Sequence, residues 1–140
     1  QARSIPAYFV EDISGYLKFK GYEVITETAR FESAREYADF ISSAEYLISV
    51  STGPMHMAAA MGIKTIALWI GTSPRVYRPL QENVVVLDSS CDRCWVESSE
   101  VWACGEEKPL CVRTHSALSV AEAMKDLDKR ALNSKELQKI

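Results

Sequence analysis

The 140-residue chain predicts an α/β fold, a parallel sheet with helices on both faces. Three observations carry that expectation. Apolar runs of strand length alternate with stretches whose apolar residues recur at helical spacing. The run Asn83-Val84-Val85-Val86-Leu87 is continuously apolar, as a strand buried on both faces would be. Between Tyr46-Leu47-Ile48-Ser49-Val50 and Thr65-Ile66-Ala67-Leu68-Trp69-Ile70 there is room only for a turn and a short helix, the layout of a βαβ crossover.

Each element follows from its own pattern. Ile5, Phe9, Ile13, Tyr16 and Leu17 place an amphipathic helix over 5–20, which Gly21 ends. Tyr22-Glu23-Val24-Ile25-Thr26 reads as a strand. Ala34, Tyr37, Ala38, Ile41 and Ala44 mark a second helix near 32–44. Strands at 46–50, 65–70 and 83–87 follow, with a helix at 54–61 between the first two. A final helix near 119–130 carries Val120, Ala123, Met124 and Leu127 on one face, and 131–140 reads as a polar, frayed tail. The domain is thus expected over 1–130, with an insert at 89–114 where cysteine, tryptophan and charge break the alternation.

Composition narrows the classes. A 47% hydrophobic and 25% charged chain is that of a globular domain, and this length supports a single core. A net charge of −3 without a Lys/Arg run argues against a general nucleic-acid binder. No apolar run is long enough to span a bilayer. The opening Gln-Ala-Arg-Ser-Ile-Pro reads as neither a signal peptide nor a natural start, so the chain is expected to be a piece of a longer protein.

The candidate site is Ser51-Thr52-Gly53-Pro54-Met55-His56. Gly53 is expected to make the tight turn at positive φ, Pro54 suits the first helical position, and Gly62 suits the position past the helix end. A helix starting there would aim the free amides of Met55 and His56, and its positive dipole end, out of the sheet's carboxyl edge, which suits phosphate. Small Ala58, Ala59 and Ala60 would let the helix lie close to the sheet. An ordinary, ligand-free crossover remains the other reading of this spacing. Ser73, Arg75, Tyr77 and Arg78 follow a strand's carboxyl end, where Arg75 or Arg78 could meet phosphate. Glu27 or Glu32 could hold ribose hydroxyls. Trp69 reads as core, and His115 has no evident partner.

The segment Tyr46–Leu80, with Gly71-Thr72-Ser73-Pro74 and Arg78-Pro79-Leu80, resembles the C-terminal half of glycosyltransferase family 9, the heptosyltransferases of lipopolysaccharide assembly. The family's hallmark is an Asp-Thr-Gly-Pro-Met-His loop followed by an Ala-rich helix, a strand and a Gly-Pro-Thr-Ser/Asp-Pro loop. The resemblance implies a Rossmann-like half of a GT-B fold that holds an ADP-heptose-like nucleotide-diphosphate sugar, with Thr52, Gly53, Met55 and His56 around the diphosphate and no organic cofactor. It also implies an N-terminal acceptor domain that has no counterpart here, so residues 1–140 alone are expected to be inactive in transfer. Cytoplasmic placement, at the inner face of a bacterial inner membrane, goes with that reading. One departure is plain: Ser51 stands where the family usually has Asp, and a hydroxyl cannot serve as that carboxylate's ionic anchor or base. The departure favours one alternative, a non-catalytic metal-stapled assembly domain; half of a nucleotide-sugar epimerase is another.

All four cysteines fall in Cys91-x2-Cys94-x9-Cys104-x6-Cys111. Two thiolates from one tight knuckle can share a tetrahedral ion, so this spacing suits one structural metal, zinc ahead of iron. Two disulfides or four separate thiols are the alternatives, the former disfavoured in a reducing compartment. The family often carries clustered cysteines at this place, which agrees with a metal without naming it.

Overall fold

A computed structural model describes residues 5–26, 30–70, 74–88 and 114–138. In chain order these form α1 (Ala7–Phe19), α2 (Ala34–Ser42), β1 (Tyr46–Val50), α3 (Gly53–Ala60), β2 (Lys64–Leu68), α4 (Pro74–Tyr77), β3 (Val84–Leu87) and α5 (Ala117–Gln138). The strands make one parallel sheet in the order β1-β2-β3, with Val50 level with Leu68 and Leu68 level with Leu87.

Strand periodicity divides the core in two. Ile48, Val50, Ile66, Leu68, Val85 and Leu87 face one side, where Phe9, Ile13 and Leu17 of α1 and Val120, Ala123, Met124 and Leu127 of α5 cover them. Ala67, Val84 and Val86 face the other side with Met55 and Ala59 of α3, beside a cluster of Tyr37, Ile41, Ala58 and Leu47 that brings in α2. Helices on both faces of a parallel sheet are therefore observed. Ala58 and Ala59 are buried against the sheet, whereas Ala60 is exposed and contributes nothing to that approach.

Local signals explain several boundaries. Gly21 and Gly62 take positive φ, 93° and 77°, and end α1 and α3 as their positions suggested. Ser33 accepts from the Glu36 amide at 3.1 Å while the Glu36 carboxylate accepts from the Glu32 amide at 2.9 Å, a variant of the capping box. Ser116 and Ser119 make a similar reciprocal pair at the start of α5, the Ser119 amide donating to Ser116 Oγ at 3.1 Å and the Ser116 amide to Ser119 Oγ at 3.0 Å. The Asn83 amide donates to the carbonyls of Ala59 (3.1 Å) and Ile63 (2.8 Å), fastening the end of α3 to the turn before β3.

Three expectations are corrected. Tyr22–Thr26 is not a strand: it follows α1 without ladder bonds to any described residue, although the Tyr22 ring meets Tyr46 edge-on at 6.0 Å and Val24 packs on the core. Strand propensity there is not matched by pairing, which is a non-local condition. Residues 131–138 are helical rather than frayed, because Ala, Leu, Lys, Glu and Gln sustain a helix even without a buried face. Only Val84 of β3 is fully buried, since β3 has β2 as its one neighbour among the described residues.

The amino ends of β1 and β2 are closed by a polar cluster. The Tyr46 hydroxyl and Lys64 Nζ both donate to Asp128 Oδ1 of α5, the latter at 2.9 Å, and Lys64 also lies over the Tyr46 ring at 5.0 Å. The hydrogen bond from Tyr46, then that from Lys64, holds the Asp128 carboxyl below the usual carboxylate range. Burial, then the bond to Asp128, pushes the Tyr46 phenol well above its usual range. Asp128 therefore contributes stability that is present above its unfolded value near pH ~4 and fades as pH falls through its lower folded value. Tyr46 contributes stability that is present below about pH 10 and fades above it. Asp128→Asn should cost about 1 kcal/mol at neutral pH, discounted because the carboxylate is half exposed, and should flatten the loss of stability as pH falls below about 4. Urea unfolding across that range checks both.

Candidate functional site

Parallel register sets the site. Because β1 and β2 end level, Ser51-Thr52 and Trp69-Ile70 leave the same carboxyl edge of the sheet, one into α3 and the other toward α4. Open α/β sheets present their ligand-binding turns at this edge.

Thr52 is the N-cap of α3, extended at φ −137° and ψ 176°, and makes no side-chain cap. Its hydroxyl instead donates to the Val50 carbonyl at 3.2 Å and lies 3.4 Å from Ser49 Oγ. Pro54 falls in the first turn, as expected, and no acidic side chain is there to compete for the positive end of the helix. The free amides are not quite those anticipated. His56 donates its N–H to the Thr52 carbonyl at 3.4 Å, opening the helical ladder. The Gly53 and Met55 amides have no partner among the described residues, as helix geometry requires of a first turn without a side-chain cap.

Side chains depart further from expectation. Gly53 is not at positive φ; it is the first helical residue, and a Cβ there would meet nothing within 4 Å. Its value is therefore open space beside the helix start rather than a strained turn. The Met55 side chain is fully buried against Ala67, Trp69 and Val84, so it anchors the turn and leaves only its amide for a ligand. The His56 imidazole is exposed, and Ser51 is half-buried with no hydroxyl partner among the described residues.

The remaining candidates divide. Arg75 and Arg78 are exposed on and just after α4, a short helix. No ion pair or hydrogen bond joins Arg78 to the 51–56 segment among the described residues. Glu32 uses its amide in the cap of α2. Glu27, Ser73 and the four cysteines Cys91, Cys94, Cys104 and Cys111 lie outside the described residues. Among the described residues no cluster of His, Cys, Asp or Glu could hold a metal, and no helix is long and apolar enough to cross a membrane.

Sequence reasoning missed His115. It is buried, and its Nε2 lies 3.1 Å from the Trp69 carbonyl at the end of β2. A lone histidine 46 positions from its partner leaves no local signal. Trp69 is core, 1% exposed.

Comparison with known proteins agrees with this layout. The profile of glycosyltransferase family 9 (heptosyltransferase) matches residues 9–101 and so spans β1, α3, β2, α4 and β3. No curated protein and no solved structure matched the chain. With about two thirds of its 140 residues matched, the chain belongs to glycosyltransferase family 9.

Proposed function

We propose that this chain holds the diphosphate of a nucleotide-sugar donor at the start of α3, as the Rossmann-like donor half of a GT-B glycosyltransferase. The observation that carries the reading is the pair of Gly53 and Met55 amides at the carboxyl edge, unpartnered among the described residues, in a first turn without acidic side chains. Amides fixed by a helix need no reorganisation to meet charge that builds on a leaving diphosphate, which is how such a turn would assist transfer. Family membership supports a sugar nucleotide as ligand, ADP-heptose being the first candidate, with glycan or lipopolysaccharide as the destination. Arg75 and Arg78, leaving the adjacent strand's end, are the cations best placed by topology to approach the same phosphates.

ADP should bind the chain, and Gly53→Val should weaken it about tenfold while leaving unfolding stability nearly unchanged. A Cβ at this position meets no described atom within 4 Å, so the effect of the substitution reports on what occupies the open space. Calorimetric titration of both variants decides it; equal affinities would remove the diphosphate from this turn.

We further propose that Cys91, Cys94, Cys104 and Cys111 hold one structural metal ion, zinc ahead of iron, on the strength of their spacing. Elemental analysis of protein purified without added metal should give about one equivalent, lost with acid as the thiolates protonate. Four freely titrating thiols and no metal would refute it.

A further inference from the structure

Two polar side chains are buried in the described core, Thr65 and His115. Thr65 is satisfied locally, donating to the Ile63 carbonyl at 2.8 Å. His115 is not local: it stands just before α5, yet its Nε2 is 3.1 Å from the carbonyl of Trp69. A carbonyl only accepts, so Nε2 carries the proton and donates. On its other side the imidazole ring lies 6.4 Å from the Phe9 ring of α1. His115 thus belongs to the α1/α5 layer while gripping the end of the central strand.

Trp69 connects that grip to the opposite layer. Its indole packs with Met55 and Ala59 of α3, on the far face of the sheet. The indole Nε1 is buried with no hydrogen-bond partner among the described residues, so no polar contact described there fixes the orientation of the ring. Two backbone bonds hold the residue instead: its amide donates to the Leu87 carbonyl at 2.9 Å, and its carbonyl accepts from His115. Trp69 lies one residue beyond the end of β2, so its carbonyl depends on a side chain where a longer strand would use the ladder. Met55, fully buried against Trp69, sits in the first turn of α3.

We infer that His115 is a positioning residue for the start of α3, acting through the Trp69 backbone and the Trp69–Met55 contact. Loss of its donor frees the Trp69 carbonyl, lets the indole shift and loosens the turn that carries the Gly53 and Met55 amides. The consequence for ligand rests on the donor-binding reading above; the mechanical link does not.

The test compares His115→Phe, which keeps a ring beside Phe9 without the donor, with His115→Gln, which keeps an N–H of similar reach. Three quantities are read on the whole chain: amide exchange at His56 and Met57, the same at Ile66 and Leu68, and ADP affinity. In His115→Phe, exchange at His56 and Met57 should rise about fivefold beyond any change at Ile66 and Leu68, the scale of one lost hydrogen bond, with ADP weakened by about as much. His115→Gln should restore both to within about twofold. If the α3 amides change only in step with those of β2, or glutamine fails to restore them, His115 is a core residue and the inference fails. If exchange behaves as expected but the unmodified chain does not bind ADP, the link stands and the ligand assignment falls.

Discussion

The central strand β2 is the constraint on which the rest depends. Thr65, Ile66, Ala67 and Leu68 are each wholly inaccessible to solvent, packed on both faces and paired with a parallel strand on either side. Burial on this scale, about 1.5–3 kcal/mol for each large apolar side chain, favours one register over its neighbours. A one-residue slip would turn Ile66 and Leu68 out of the α1/α5 core and push Ala67 into it. The register in turn levels the ends of β1 and β2, so the turns that follow them are neighbours. The site is a consequence of that alignment.

The two ends of the sheet are treated differently. At the amino end Tyr46, Lys64 and Asp128 satisfy one another, and Arg130 donates to the carbonyls of Glu82 and Val84 at 3.2 and 3.0 Å. That end is occupied by the protein's own polar groups. At the carboxyl end Thr52 spends its hydroxyl on the strand it has just left rather than on capping α3. Serine or threonine at such a position commonly satisfies the second or third amide of the helix. Withholding that cap leaves donors directed at whatever approaches the edge, while buried Met55 and Ala59 anchor the start of α3 on the sheet.

What could be read in the sequence was mostly local. Gly21 and Gly62 ended their helices where predicted, because a left-handed residue is required within a few positions of the last turn. The strands at β1 and β2 followed from short apolar runs, and the helix between them from Pro54 and small alanines. Ser33-Ala34-Arg35-Glu36 is equally legible as a cap, since Ser and Glu three residues apart can each accept from an amide at a helix start. Tyr22–Thr26 shows the converse: its pattern is that of a strand, but a strand needs a partner in register, and no local signal reports that. At the site, the position of the turn was legible whereas its chemistry was only half so. The identity of the free amides depends on where the first helical bond closes, at His56, one residue away from the sequence expectation. The grip of His115 on Trp69 and of Tyr46 on Asp128 bridges 46 and 82 positions, which only the fold brings together.

The central claim is that the carboxyl edge at the start of α3, and not the closed amino edge, receives the ligand. Backbone amide chemical shifts recorded during titration with ADP test it residue by residue. The account predicts saturable shifts at Thr52, Gly53, Met55 and His56, with Tyr46, Lys64 and Asp128 unmoved. Saturable shifts confined to the amino edge, or none anywhere at millimolar ADP, would contradict it.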